Sequence, residues 1–344
     1  MARLAAALRA VDAWLFRPGD PRRLAALRIG LGGVLTVRLV TGPYLNLAHQ
    51  PAALFRPISF MKLLPAMPPP AVVLLVQVLA VAAAALATAG LRTRLTLPLA
   101  WLLALPLVAM TSSLGKTVHN DVLLLLCLLP LLPSPAGQAW SLDARRGRAA
   151  AGLPSAGPPS AGPPSAGLPS AGLPAGAPPG PRSGAPGPSW RFGWPVWTAM
   201  TVVGGAYFFT GLAKLLHAGP GWVTSGNLRW VLYASSDAQA RPNAAALFVA
   251  DRPWLAHLLA AATLAVELGF PLALWRPRLA WLLVPAVIAL HTGIWLAMRL
   301  DYWPMAATVL IVMVDWPVLA SRLRRGAAPV PAPPDRRGAL SPGG

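Results

Sequence analysis

Charge is what this sequence has least of. Of its 344 residues only 11% are charged, against about 25% in soluble globular domains. Acidic residues are scarcest: Asp and Glu together number 10, facing 29 Lys and Arg. A chain this long cannot cover a water-facing surface with so few charges. With 56% hydrophobic residues and a mean hydropathy of +0.56, it reads as an integral membrane protein. The single cysteine, Cys127, excludes an internal disulfide and leaves the redox compartment unread. No phosphate loop, dinucleotide fingerprint or serine elbow occurs. His49, His217 and His257 lack zinc-ligand spacing, so no metal site is expected. The opening "MARLAAALRAVDAWLF" is not a secretory signal, because Arg9 and Asp12 interrupt its apolar stretch and no small-residue cleavage site follows.

What the chain has in quantity is apolar runs. A helix needs about 20 residues to cross the hydrocarbon core. Runs near residues 24–41, 71–90, 95–113, 119–133, 194–216, 253–274, 279–298 and 302–319 predict an all-α bundle of about eight transmembrane helices. Residues 1–140 hold the first four, preceded by an N-terminal segment in which Leu4, Leu8, Val11 and Leu15 share one helical face. That segment is either a helix lying in the interface or an ordinary basic tail. Residues 141–192 are a Pro/Gly/Ala-rich linker with the pentad repeat "GPPSAGPPSAG", and a period of five excludes collagen. Residues 193–320 carry the last four spans and an aromatic-bearing segment, 217–252, expected to fold on the outer surface; 321–344 read as a disordered basic tail.

The excess of +19 charges suggests nucleic acid until the arginines are placed. Arg92 and Arg94, Arg145, Arg146 and Arg148, and Arg276 and Arg278 fall in loops on one side, with the basic N-terminal and C-terminal segments. The positive-inside rule makes that side cytoplasmic, both termini included, and removes the need for a nucleic-acid partner. Lys214, His119 and His291 then fall in the outer half of three different helices. A lysine or arginine at mid-membrane costs on the order of 3 kcal/mol and usually faces a cavity or a partner. Gly204, Tyr207, Gly211 and Lys214 form one stripe along the fifth span, where small residues admit a close neighbour. Lys214 is either snorkelling to headgroups or lining a pocket. His291 is either a buried structural histidine or a site residue. Asn120 and Asp121 read as helix-capping residues. Glu267, counted from its helix end, lies too deep to meet Lys214, and Arg28 or Arg38 is its expected partner.

At these residues the chain resembles a known family. "YFFTGLAKLLHAGPGWVTSG", through Tyr207, Phe208, Gly211, Lys214, Leu215, Trp222 and Gly226, is similar to a signature of the vitamin K-dependent gamma-carboxylases, whose bacterial relatives are HTTM-domain proteins. "GKTVHNDVLLLL" resembles the family's lysine-x-x-histidine stretch, "LHTGIWLAM" and "VELGFPLAL" resemble later blocks, and "ALRIGLGGVL" resembles the opening helix. The resemblance implies Lys214 and His119 as catalytic residues, with Tyr207, Gly211, His291 and Trp222 around the cofactor. That cofactor is a reduced quinone of vitamin K or menaquinone type, in a multi-pass protein of a bacterial cell membrane. In the family an uncharged amine deprotonates the quinol, and reaction with oxygen then yields a base that enables carboxylation of glutamate. Burial can keep a lysine uncharged. The vertebrate enzyme has a large lumenal region after its membrane core where this chain has a short tail, so a protein substrate is not implied.

Two functions follow from different classes. One is a quinol-dependent, carboxylase-like enzyme with Lys214 as base. The other is a non-catalytic protein that binds a quinone or lipid, or partners a redox protein in the bilayer. A transporter is the weaker third, since no repeat relates the two halves.

Overall fold

A computed structural model of the chain describes residues 2–114, 119–150, 186–239 and 241–326. Lys116 and the pentad repeats lie outside the described residues, as do 327–344 of the expected tail. Among the described residues all regular elements are helical, and one isolated antiparallel bridge joins Gly19 to Ser189.

Helix α1 (Ala2–Leu15) leaves Leu8 and Val11 exposed, as expected of a face laid on an interface. Helix α2 (Pro21–Thr41) starts where Asp20 accepts a hydrogen bond from the Arg22 amide and Pro21 fills the first turn. Its Leu24, Leu27, Leu31, Leu35 and Leu39 recur every three or four residues and are all buried. That stripe places α2 centrally. A short α3 (Tyr44–Ala48) leads toward α4 (Pro70–Ala89) and α5 (Thr93–Thr111), which pack on each other and on the same end of the bundle. Gly90 makes the turn between them at a φ of +77°, and a Cβ there would sit 2.3 Å from that of Ser141. Then come α6 (Val122–Leu128), continued by a 3-10 turn to Leu131, and α7 (Leu142–Ala150). The second half opens with the 29-residue α8 (Trp190–Ala218). Three short helices, α9 (Gly221–Thr224), α10 (Asn227–Asp237) and α11 (Ala244–Ala250), follow. The remainder is α12 (Pro253–Gly269), α13 (Leu272–Trp275), α14 (Pro277–Met298), α15 (Trp303–Met313) and α16 (Trp316–Gly326).

The all-α membrane bundle is therefore present, with a correction to its span count. Five helices, α2, α4, α5, α8 and α14, are long and apolar enough to cross a membrane, and a sixth results if α15 and α16 act together across a 69° bend. The runs at 119–133 and 253–274 are apolar for a different reason. The first, with its 3-10 turn, is about 15 Å long and buries Leu124, Cys127, Leu128 and Leu131 against the rest of the bundle. It is a core helix. The second breaks after Gly269, and α13 carries the chain on to Trp275.

Two linker boundaries also change. Residues 142–150 are helical, and α8 begins at Trp190, inside the segment expected to be linker. Asp143 explains the first. Its carboxylate accepts from the Arg92 and Thr93 amides at 2.8 and 3.0 Å and closes the start of α5. Partial burial pushes this carboxyl upward, but the amides, the Thr93 hydroxyl and Arg146 outweigh it and hold it below the ordinary carboxylate range. Asp143→Ala is expected to lower stability by about 1 kcal/mol. Because the folded group titrates lower than the unfolded one, the contribution is complete above about pH 4 and fades as pH falls through the folded value. Melting curves of mutant and parent should converge in acid. The expected tail likewise begins later, since 321–326 belong to α16.

Residues 221–237 and 244–250 form three helices. Leu232, Ala246 and Ala250 form a small core of their own, with Met298 of α14 packed against it. Asn243 fastens it: its Oδ1 accepts from the Ala245 and Ala246 amides, and its Nδ2 donates to the carbonyls of Leu296 and Ala297.

Candidate functional site

Helices α8, α12 and α14, with α9 and α10 across one side, line a partly open cavity of about 330 Å³. Its wall is mostly apolar, with Ala206, Leu228, Val231, Leu290, Ile294 and Met305 among the lining residues. Into it come Lys214 and Tyr207 from α8, Glu267 from α12, His291 from α14, Trp222 from α9, and His119 and Tyr302 from connecting segments. The site residues read from three separated blocks of sequence thus meet in one chamber.

Lys214 does not snorkel. Its Nζ donates to Glu267 Oε1, and the amine lies 5.1 Å from the centre of the Trp222 ring. This overturns the expectation that Glu267 is too deep to reach it. Counting residues from helix ends assumed that both helices end in one plane. Instead α8 ends at Ala218, four residues past Lys214, while Glu267 lies fourteen residues past the first residue of α12. Besides α8, α12 packs on α9, α10 and α11, the helices that follow the end of α8. Gly211 permits the approach, since a Cβ there would lie 2.9 Å from Glu267 Cβ. Gly211 therefore positions the pair rather than lining the chamber. The proposed arginine partners are engaged elsewhere. Arg28 donates to the carbonyls of Ala136 and Trp140, and Arg38 reaches Asp121 and Asp301.

The pairing corrects the picture of a solitary amine: Lys214 and Glu267 meet as a pair whose side chains are 19% and 6% exposed.

A second polar set faces the pair. Tyr207, stacked on Phe270 at 4.9 Å, has its hydroxyl 2.7 Å from His291 Nε2. His291 is stacked against Tyr302 at 5.5 Å, and the Tyr302 hydroxyl is 3.3 Å from Nε2 of the exposed His119. Tyr302 was missed in the sequence; its only signal was being one of four tyrosines, in the stretch Asp301-Tyr302-Trp303-Pro304.

What holds Tyr302 and His119 in place is an ion cluster just behind them. Arg38 Nε meets both oxygens of Asp121, at 2.8 and 3.0 Å, and its Nη1 meets Asp301 at 2.9 Å. Asn120 Nδ2 donates to the Asp301 carbonyl. Asp121, expected to cap α6, makes no side-chain cap bond. It is 2% exposed and serves as the buried anion for Arg38.

Three buried polar atoms in the chamber wall lack a hydrogen-bond partner among the described residues: Glu267 Oε2, His291 Nδ1 and Trp222 Nε1. Buried polar groups are ordinarily satisfied, so an acceptor, a ring nitrogen and a donor around one apolar chamber suit a ligand carrying hydroxyl or carbonyl groups. No group of three or more His, Cys, Asp or Glu close enough for a metal ion occurs among the described residues. No protein-family model, curated protein or solved structure matches the chain.

Proposed function

We propose that this chamber is a quinol site in a bilayer-embedded protein with carboxylase-like chemistry, and that the Lys214–Glu267 pair accepts the proton of a ring hydroxyl. The observation that carries the reading is the pair itself, placed at an apolar chamber lined by residues that carry three unpartnered buried polar atoms. The chamber volume is within the range of small-molecule pockets, about 300–1,000 Å³. A reduced quinone of vitamin K or menaquinone type, when bound, would supply a ring hydroxyl and reducing equivalents. The chain's own residues do the rest. Glu267 and His291 bring one unpartnered atom each to the chamber wall, Trp222 lies over Lys214, and α9 and α10 cover that side of the chamber. A proton arriving at Lys214 Nζ is stabilised by the carboxyl beside it. His119, exposed at the rim and bonded through Tyr302, is placed to exchange protons with the medium. The arginine-bearing loops support cytoplasmic termini and an outward-facing chamber, and the resemblance to HTTM-domain proteins supports a bacterial cell membrane.

One observation favours a non-catalytic quinone- or lipid-binding role instead. An amine already joined to a carboxyl is a poorer free base than a solitary one. Mass spectrometry of the purified protein separates the readings. The expected result is a co-purifying isoprenoid quinone that falls at least about tenfold in Lys214→Ala, the loss of roughly 1.4 kcal/mol of binding. Unchanged quinone content in that variant supports the non-catalytic reading, and no isoprenoid in either protein sinks both.

A further inference from the structure

On the opposite face of α14 runs a second, larger groove of about 770 Å³. It is bounded by α8, α13, α14, α15 and α16, and its floor is apolar, with Trp281, Val284, Ile288 and Leu310. Along α14 it extends from Pro277 to Leu296, roughly 29 Å at 1.5 Å per residue. One end is charged: Arg23, Asp315 and Arg322 line it there. We infer that this groove seats one anionic phospholipid, its phosphate held between Arg23 and Arg322 and an acyl chain lying along α14.

Four observations carry the inference. The charged end lies where the chain turns by 69° from α15 into α16, a short helix whose Val318 and Leu323 share it with Arg322 and Arg324. A basic amphipathic helix turned off the bundle marks the headgroup level. Exposed Trp275 and Trp281 lie on the same stretch, as interfacial tryptophans do. The charge also fits. Two guanidinium groups and one carboxylate line the mouth, with Asp315 3.4 Å from Arg23 Nη1, so the mouth is net positive. Finally, Arg23, beside the Trp197 ring at 5.4 Å, has for its Nη2 only the Met200 sulfur at 3.3 Å, a weak acceptor. A phosphate oxygen is the acceptor such a guanidinium lacks. The site does not depend on the quinol reading, because His291 and Ile294 open on the chamber while Ile288 and Thr292 open on the groove.

The test uses the full chain in mild detergent with an equimolar mixture of phosphatidylglycerol and phosphatidylcholine, and counts retained lipids by native mass spectrometry. The parent protein should retain one phosphatidylglycerol in preference to phosphatidylcholine. Arg322→Gln, an exposed change, should weaken that preference about fivefold, the weight of one arginine beside an anionic lipid. Gly293→Trp should strip retained lipid of both kinds. A Cβ at Gly293 meets nothing within 4 Å, so the added ring enters the groove without disturbing the helix. Equal retention of the two lipids by the parent would overturn the inference, as would preference unchanged by Arg322→Gln. So would a protein that carries no lipid and dimerises through this face. If Gly293→Trp fails to fold, Arg322→Gln decides alone.

Discussion

Lys214→Met lowers the stability of the detergent-solubilised protein by about 3–5 kcal/mol, the usual loss when one member of a buried ion pair is removed. The reason is the partner left behind. Glu267 is 5% exposed, one of its oxygens already lacks a hydrogen bond, and deleting the amine strands the other. The double variant Lys214→Met/Glu267→Gln should recover most of that loss, because a neutral amide is far easier to leave in an apolar wall than a carboxylate. Retained quinone should not recover with it. Thermal unfolding and quinone content measured on the same three proteins therefore separate folding from ligand binding. A single variant as stable as the parent would mean that the pair contributes nothing to the fold. A double variant that regains quinone would remove the proton-accepting role from the pair.

Arg38→Met should be as damaging, and the contrast with its two partners is diagnostic. Asp121 is 2% exposed and bonded through both oxygens, whereas the side chain of Asp301 is 49% exposed. Removing Arg38 leaves a buried anion and is expected to destabilise by about 3–5 kcal/mol. Asp301→Asn breaks an exposed contact and should shift stability by no more than about 1 kcal/mol. Both should also loosen the rim of the chamber, because Asp301 adjoins Tyr302 and the Asn120 amide ties the His119 segment to the Asp301 carbonyl. Urea or thermal unfolding in detergent reads the first effect. Faster solvent exchange at 15N-labelled His119 would report the second.

The long apolar helices were legible from composition, whereas Lys214, His119 and His291 could be placed only in the same half of three helices, with their meeting in one chamber left open. Periodicity places a leucine stripe on α2 and a glycine stripe on α8 without knowledge of their neighbours. Helix depth was not legible. The run at 119–133 is as apolar as a span, yet it is a buried helix about half the needed length, and hydropathy does not distinguish facing lipid from facing leucine. Glu267 was misplaced because residue counting fixes a position along one helix but not the height at which that helix starts. Asp121 was taken as a cap because capping is a local property. Its actual partner, Arg38, is 83 residues away, and a separation of that kind leaves no trace in local pattern.

His291 and Thr292 are neighbours in sequence that open on separate compartments, so α14 acts as a party wall whose angular setting decides what each compartment contains. Successive residues of an α-helix are turned by about 100°. Inserting one residue after Pro285 would swing the imidazole away from Tyr207 and exchange acyl-facing side chains for proton-bearing ones. Screw rotation of this helix would therefore disrupt both compartments, and length variation should be absent from the stretch between Pro285 and His291 in any functional variant.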